Sequence, residues 1–239
     1  MEKIWKRPSS VPYPQVWHKF TKVDKTGTSK EFEIEDLTEE LFPTCVEFMR
    51  KYFIPDESLY TCVGLLNDDE SVHEQIRWWN EVLFDKLSLV CKYGDEIVGI
   101  YILYHHHKIH DENGTEDKGE RFKLIGKIVN YLETRADRYN FLQTDEYLDE
   151  FGLCVDPNYR GLGIATELLK VRIRLGAAVG LKVSLTVCTS IASQKASEKA
   201  GFRNLVEVNY SELEKMFPPL KLNIADTPTI RYMYAFNKT

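Results

Sequence analysis

The stretch Val155-Asp156-Pro157-Asn158-Tyr159-Arg160-Gly161-Leu162-Gly163-Ile164-Ala165-Thr166 constrains this chain more than any other. It begins at the end of an apolar run, Leu148 to Val155, that reads as a strand stopped by Asp156-Pro157. It then opens a long apolar-periodic segment that reads as a helix to about Val179. A strand feeding a helix through a tight glycine turn commits the chain to an α/β arrangement. Glycines at 161 and 163 permit backbone conformations closed to other residues, so successive N–H groups can converge on an anion at the positive end of the helix. A turn of this kind can also carry glycine for steric reasons alone. Its spacing is neither G-x-x-x-x-G-K-S/T nor G-x-G-x-x-G, which argues against a nucleoside-triphosphatase loop and a dinucleotide fold.

The flanks extend the pattern. Strand Val183 to Cys188, helix Ser190 to Ala200 and strand Phe202 to Tyr210 complete a β-α-β-α-β succession. Upstream, Phe32 and Ile34 alternate with acids as a short strand. Asp36 or Thr38 is then expected to cap a helix through Leu41, Phe42, Val46, Phe48 and Met49, stopped at Pro55, leaving a junction at Ile54-Pro55-Asp56-Glu57-Ser58. A helix from about Asp69 to Phe84 and a hairpin, Leu87 to Cys91 and Ile97 to Tyr104 around Gly94-Asp95, follow. Residues 105 to 121 are polar, Phe122 to Arg135 is amphipathic, and Ile230 to Phe236 reads as a last strand. Pro8, Pro12, Pro14 and Gly27 mark residues 1–30 as an extended surface arm. With no repeat or low-complexity linker, residues 31–239 read as a single domain.

At 239 residues and 43% hydrophobic, the chain can bury one large core. A formal net charge of −6 disfavours a nucleic-acid partner and suits a cationic one. Five cysteines, an odd number with no C-x-x-C, read as reduced buried thiols. No run approaches the roughly 18 apolar residues of a membrane span. The expectation is a cytoplasmic monomer without membrane or nucleic-acid partner. His105-His106-His107 and His110 lack an acidic or cysteine partner at a ligand spacing, so they read as a solvated strand end and no metal is expected. Trp17, Trp78 and Trp79 read as packing residues, with a border to an aromatic pocket as the alternative for the last two, and the acids Glu116-Asp117 and Asp145-Glu146 as solvated charge.

Arg160-x-x-Gly163-x-Ala165 matches the acetyl-CoA signature Q/R-x-x-G-x-G/A of the GNAT acetyltransferases, and Tyr147 to Tyr210 resembles the core of that family, including Glu198-Lys199-Ala200-Gly201-Phe202 at a helix end. V-D-x-N-Y-R-G-L-G-I-A at 155–165, Cys188-Thr189-Ser190-x-x-Ser193, Asp56-Glu57-Ser58-Leu59 and the polar insertion look like the insect arylalkylamine N-acetyltransferases. The resemblance implies an α/β GNAT fold: a mixed, mostly antiparallel sheet of about seven strands with helices on both faces, splayed between the fourth and fifth strands, with acetyl-CoA in the splay.

The resemblance also implies roles. Acetyl transfer to an amine needs a neutral nitrogen, hence a base, and Glu57 stands where that family's proposed base lies. Taken alone, Glu57 is equally an exposed carboxylate past a helix end, or an anchor for the substrate ammonium. Backbone N–H groups near Cys154 and Val155 would stabilise the oxyanion. Ser197 replaces the tyrosine that serves the leaving sulfur in many members, so Ser193 first, then Thr189, are candidates for that task, while Thr189 or Ser190 could equally be a helix cap. Arg160, Gly161, Leu162, Gly163, Ile164, Ala165, Thr166 and Lys195 would hold the cofactor phosphates. The expected substrate is a small amine such as dopamine, serotonin or tyramine, attacking directly in a ternary complex. An agmatine, polyamine or fatty-acyl transferase, or a CoA-binding module without turnover, are the alternatives.

Overall fold

The computed structural model describes residues 5–109, 117–218 and 227–238. In chain order its elements are strands β1 (Val16–Val23) and β2 (Ser29–Asp36), helices α1 (Phe42–Tyr52), α2 (Ser58–Val63) and α3 (Asp69–Val82), and the hairpin β3 (Leu89–Tyr93) and β4 (Glu96–His107). Helices α4 (Glu120–Ala136) and α5 (Arg138–Leu142) precede β5 (Glu146–Val155), α6 (Ile164–Ala178), β6 (Val183–Cys188), α7 (Ile191–Ala200), β7 (Arg203–Asn209), α8 (Tyr210–Met216) and β8 (Thr229–Phe236). The strands form one sheet in the order β1-β2-β3-β4-β5-β6-β8-β7, antiparallel at every step except β5–β6. No helix among the described residues is long and apolar enough to cross a membrane.

Two cores sandwich the sheet. One face is covered by α1 to α5 and α8 around Phe42, Met49, Trp79, Ile128 and Leu213. The other is covered chiefly by α6, whose Ile164, Leu168, Val171 and Leu175 bury against Leu89, Tyr101 and Leu103, with Ala196 and Ala200 of α7 beside them. Two short helices, α2 and α8, fall where the sequence showed only a junction and a tail, because six or seven residues are too few to display a period.

The sheet has eight strands where about seven were expected, and the extra one comes from the expected surface arm. Residues 16–23 pair with β2 along its length, with a bulge near Val16. The splay consequently falls between the fifth and sixth strands in chain order, at the same residues that the sequence indicated. Asp36 caps no helix: it is fully buried, accepting from both terminal nitrogens of Arg7 (2.9 and 3.0 Å), Trp17 Nε1 (2.9 Å) and Gln15 N (3.0 Å). Thr38 makes no side-chain cap bond either. Burying a carboxylate is costly unless donors meet its oxygens, and the bonds that do so here tie the chain start to the sheet.

The central distortion lies on β5. Tyr101 faces Leu153 and Leu103 faces Glu150, so Phe151 and Gly152 together oppose the single residue Ile102 in a β-bulge. Gly152 sits at φ +120°, and a Cβ there would stand 2.7 Å from the Phe53 ring, so only glycine fits. Beyond the single pair Leu148–Ser184, β5 and β6 no longer register with each other.

Candidate active site

The divergence of β5 and β6 opens a cleft of about 480 Å³, walled by the end of β5, the glycine turn, the end of β6, α7 and the α1–α2 junction. At the turn, Asp156 Oδ1 accepts from Asn158 N (2.8 Å), and Tyr159 Oη donates to Glu96 (2.6 Å), which pins the turn to β4. Gly161 and Gly163 lie at φ +83° and +78°, and no atom lies within 4 Å of where a Gly161 Cβ would be. Behind them starts the fifteen-residue α6, whose first N–H groups have no partner within the helix. Arg160, exposed, donates to Val155 O (3.1 Å) and pairs with Asp56 at 3.0 Å. Lys195 stands exposed on α7 at the cleft wall.

Of the residues singled out from the sequence, Glu57, Thr189, Ser193, Cys154, Val155, Arg160, Gly161, Gly163, Ile164, Ala165, Thr166 and Lys195 all line this one cleft. Leu162 does not line it; its side chain packs towards the α6-side core, which leaves it only a backbone contribution.

At the opposite end, Glu57 caps α2, accepting Tyr60 N (2.7 Å) on one oxygen and the Thr189 hydroxyl (2.5 Å) on the other. It is therefore neither exposed nor idle. Burial pushes its carboxyl above the usual range and Asp56 adds to this, while the bonds from Thr189, Tyr60 and Leu59 partly restrain it. Phe53 packs edge-on against Tyr60 and Trp79 beside it. Burial also pushes the Cys154 thiol up to about 12 and Cys188 up to about 11, so both are neutral thiols near pH 7.

The hydroxyls divide differently from the expectation. Ser190 is the cap of α7, and Ser193 closes the reciprocal capping box, with its own hydroxyl donating to Ser190 O (2.8 Å). Thr189 serves Glu57 instead of the cap. Ser197, almost fully buried, lies 3.3 Å from Cys188 Sγ.

The sequence reading missed a buried polar group in the cleft floor: Tyr101, Glu150, Thr186 and Arg172. The signal was present, since Arg172 falls on the apolar stripe Ile164, Leu168, Leu175 of its helix. It also missed Lys22 of β1, whose Nζ lies 3.9 Å from the Cβ position of Gly163 and pairs with Glu167 at 3.4 Å. The histidines are not a solvated end, because β4 runs through them: His105 is buried, 2.9 Å from Glu146 and stacked on Trp5, and His106 stacks on Tyr147. His110 and Glu116 lie outside the described residues. Trp78 Nε1 donates to Asp117 (3.1 Å) and Trp79 Nε1 to Phe151 O (2.9 Å), so both tryptophans pack the β5 bulge. Among the described residues no three His, Cys, Asp or Glu side chains are grouped to hold a metal.

Residues 46–202 match the acetyltransferase (GNAT) family. Among solved structures, arylalkylamine N-acetyltransferase 7 of the yellow fever mosquito Aedes aegypti is similar at 34% identity, over 98% of this chain and 100% of that one, with a TM-score of 0.90. Arylalkylamine N-acetyltransferase 2 of Aedes aegypti shares the fold at 20% identity, over 87% of this chain and 99% of that one, with a TM-score of 0.72. Polyamine N-acetyltransferase of Drosophila melanogaster shares it at 12% identity, over 86% and 99%, with a TM-score of 0.68. No curated protein matches the sequence. The glycine turn at the head of α6, the splay between β5 and β6 and the match across two thirds of the sequence agree: the chain belongs to the GNAT family of acetyltransferases, whose enzymes use acetyl-CoA as co-substrate.

Proposed function

We propose that this protein transfers the acetyl group of acetyl-CoA to a small aryl-alkyl monoamine by direct attack within a ternary complex. The observation that carries the reading is Glu57, a half-buried carboxylate with a raised pKa, placed in the same cleft as the Arg160–Thr166 turn. The turn suits a pyrophosphate: open space before Gly161, free helix N–H groups, and Arg160, Lys195 and Lys22 at its edges. Acetyl-CoA bound there supplies an activated thioester to the far end of the cleft.

An ammonium has no lone pair to attack with. Glu57 takes its proton, directly or through water, and the raised pKa brings its basicity nearer to neutral pH. The nitrogen–carbon bond would then form and the carbon–sulfur bond break, and the second proton that the nitrogen gives up balances the one that the departing thiolate takes. The backbone N–H of Val155, next to the bulge and turned away from β4, is the oxyanion donor, whereas Cys154 N–H faces its partner Ile100 on β4. Ser193 and Ser197 line the cleft as the candidates to serve the sulfur, Ser193 by giving up its bond to Ser190 O. Direct attack is favoured over an acyl-cysteine because Cys154 and Cys188 are held as thiols, which are weak nucleophiles.

Charge pairing supports a monoamine. Among the described residues three carboxylates line the cleft: Asp56 is paired with Arg160, Glu150 with Arg172, and Glu57 accepts from neutral donors. A polyamine would ask for a second uncommitted carboxylate, whereas Tyr52 and Phe53 offer aromatic surface to an aryl group. Release of the CoA thiol, followed with acetyl-CoA and a panel of tyramine, dopamine, serotonin, agmatine and spermidine, tests this. We expect turnover with the aryl monoamines at least about tenfold above the polyamines, one hydrogen-bonded charge in size. The reverse order would move the assignment to polyamines, and acetyl-CoA binding without thiol release would make the protein a non-catalytic binder.

A further inference from the structure

Arg172 is fully buried in the middle of α6, where an apolar residue would complete the helix stripe. Its Nη1 reaches Glu150 (3.1 Å) and the Tyr101 hydroxyl, and its Nη2 donates to Leu148 O (2.7 Å) and to Leu185 O. Leu148 belongs to β5 and Leu185 to β6. Glu150 of β5 in turn accepts from the Thr186 hydroxyl of β6 at 2.5 Å. Both bridges stand where pairing between the two strands stops, beside Leu148–Ser184. Carbonyls that lose their partners at a splay must find other donors, and the guanidinium fork supplies them on both sides at once. The Tyr101 and Phe202 rings close over it at 5.3 and 5.6 Å.

Stability alone gives no reason for this arrangement. Buried ion pairs commonly break even against well-packed apolar side chains, and here Arg172 Nε is left without an acceptor. Position gives the reason: Tyr101, Glu150 and Thr186 all line the cleft. We propose that Arg172 is a positioning residue for acyl-CoA, acting through Glu150 and Thr186 as a charged cross-link that fixes the separation of β5 and β6 and with it the width of the channel for the cofactor arm and its acyl group. The proposal rests on the reading of the cleft as the acyl-CoA site.

Calorimetric titration of the full chain with acetyl-, butyryl- and hexanoyl-CoA tests it without knowledge of the amine. Glu150→Gln removes the charge at constant volume, Thr186→Val removes one bridge at constant shape, and Arg172→Lys keeps the charge but loses the fork. We expect Kd for acetyl-CoA to rise by about tenfold in Glu150→Gln, the size of one hydrogen bond to a charged group, and by less in Thr186→Val. The preference for acetyl over hexanoyl should fall in both variants, and in Arg172→Lys too where it folds; if it does not fold, the other two decide. Variants that lower Tm but keep the wild-type Kd and chain-length order would overturn the proposal, because a purely structural role moves only the first. Wild-type protein that binds none of the three thioesters would remove the reading of the cleft and the proposal together.

Discussion

Glu57 shows how burial turns a common side chain into a reagent. Its carboxylate closes the first turn of α2 and shares a hydrogen bond with Thr189, 132 positions away in the chain. A base with a raised pKa must be ionised to act, so kcat/KM falls as pH drops through that pKa, which lies above the ordinary 4.5. Glu57→Gln is expected to lose turnover by about 10²- to 10⁴-fold and to abolish this acidic limb in a pH–rate profile. Thr189→Val removes a bond to the ionised form, so the limb should shift to higher pH; a limb that stays in place would detach Thr189 from the base. A carboxyl whose folded pKa exceeds its unfolded value destabilises the fold at every pH above both, so Glu57→Gln should melt higher than wild type at neutral pH although it is less active. The sequence placed Glu57 only through resemblance, because its burial depends on Thr189 and Tyr210 from distant elements, and no local pattern encodes that.

At the scale of elements, the β5 bulge and the glycine turn do different work, and they differed in legibility. The turn is local: Arg160 to Thr166 carries it whole, and all of its residues but Leu162 stand at the cleft wall. The bulge was not legible, since Phe151 and Gly152 look like ordinary strand residues until β4 supplies the register. It moves Cys154 to the opposite face of the sheet from Leu148. Gly152→Ala combines a left-handed backbone with a 2.7 Å approach to Phe53, and we expect a loss of about 1–3 kcal/mol, seen as a lower Tm, together with reduced turnover. A variant with wild-type Tm would show that the bulge relaxes without cost. Ser193, ranked first for the leaving group, proved to share its hydroxyl with the Ser190 cap, because the same residue types serve both tasks.

Across the whole molecule, the described residues form one sheet of eight strands that parts between β5 and β6, where the cleft lies. The family core was legible because its signals are local, whereas β1 looks like an arm because three prolines precede it, Gly27 follows it and half of its side chains are exposed on β2. Asp36 is what converts that arm into a strand. Asp36→Ala leaves Arg7, itself 5% exposed, without its carboxylate, and should cost about 3–5 kcal/mol, measurable by urea unfolding. An unchanged midpoint would mean that β1 docks by its backbone alone. The most direct test of the central claim is the initial rate of CoA thiol release from acetyl-CoA and tyramine, measured against pH for wild type and Glu57→Gln. Thiol release that depends on tyramine in wild type, with an acidic limb that vanishes along with most of the rate in Glu57→Gln, is the predicted result. Equal rates and identical pH profiles in the two proteins, or no release above the amine-free background from wild type, would contradict it.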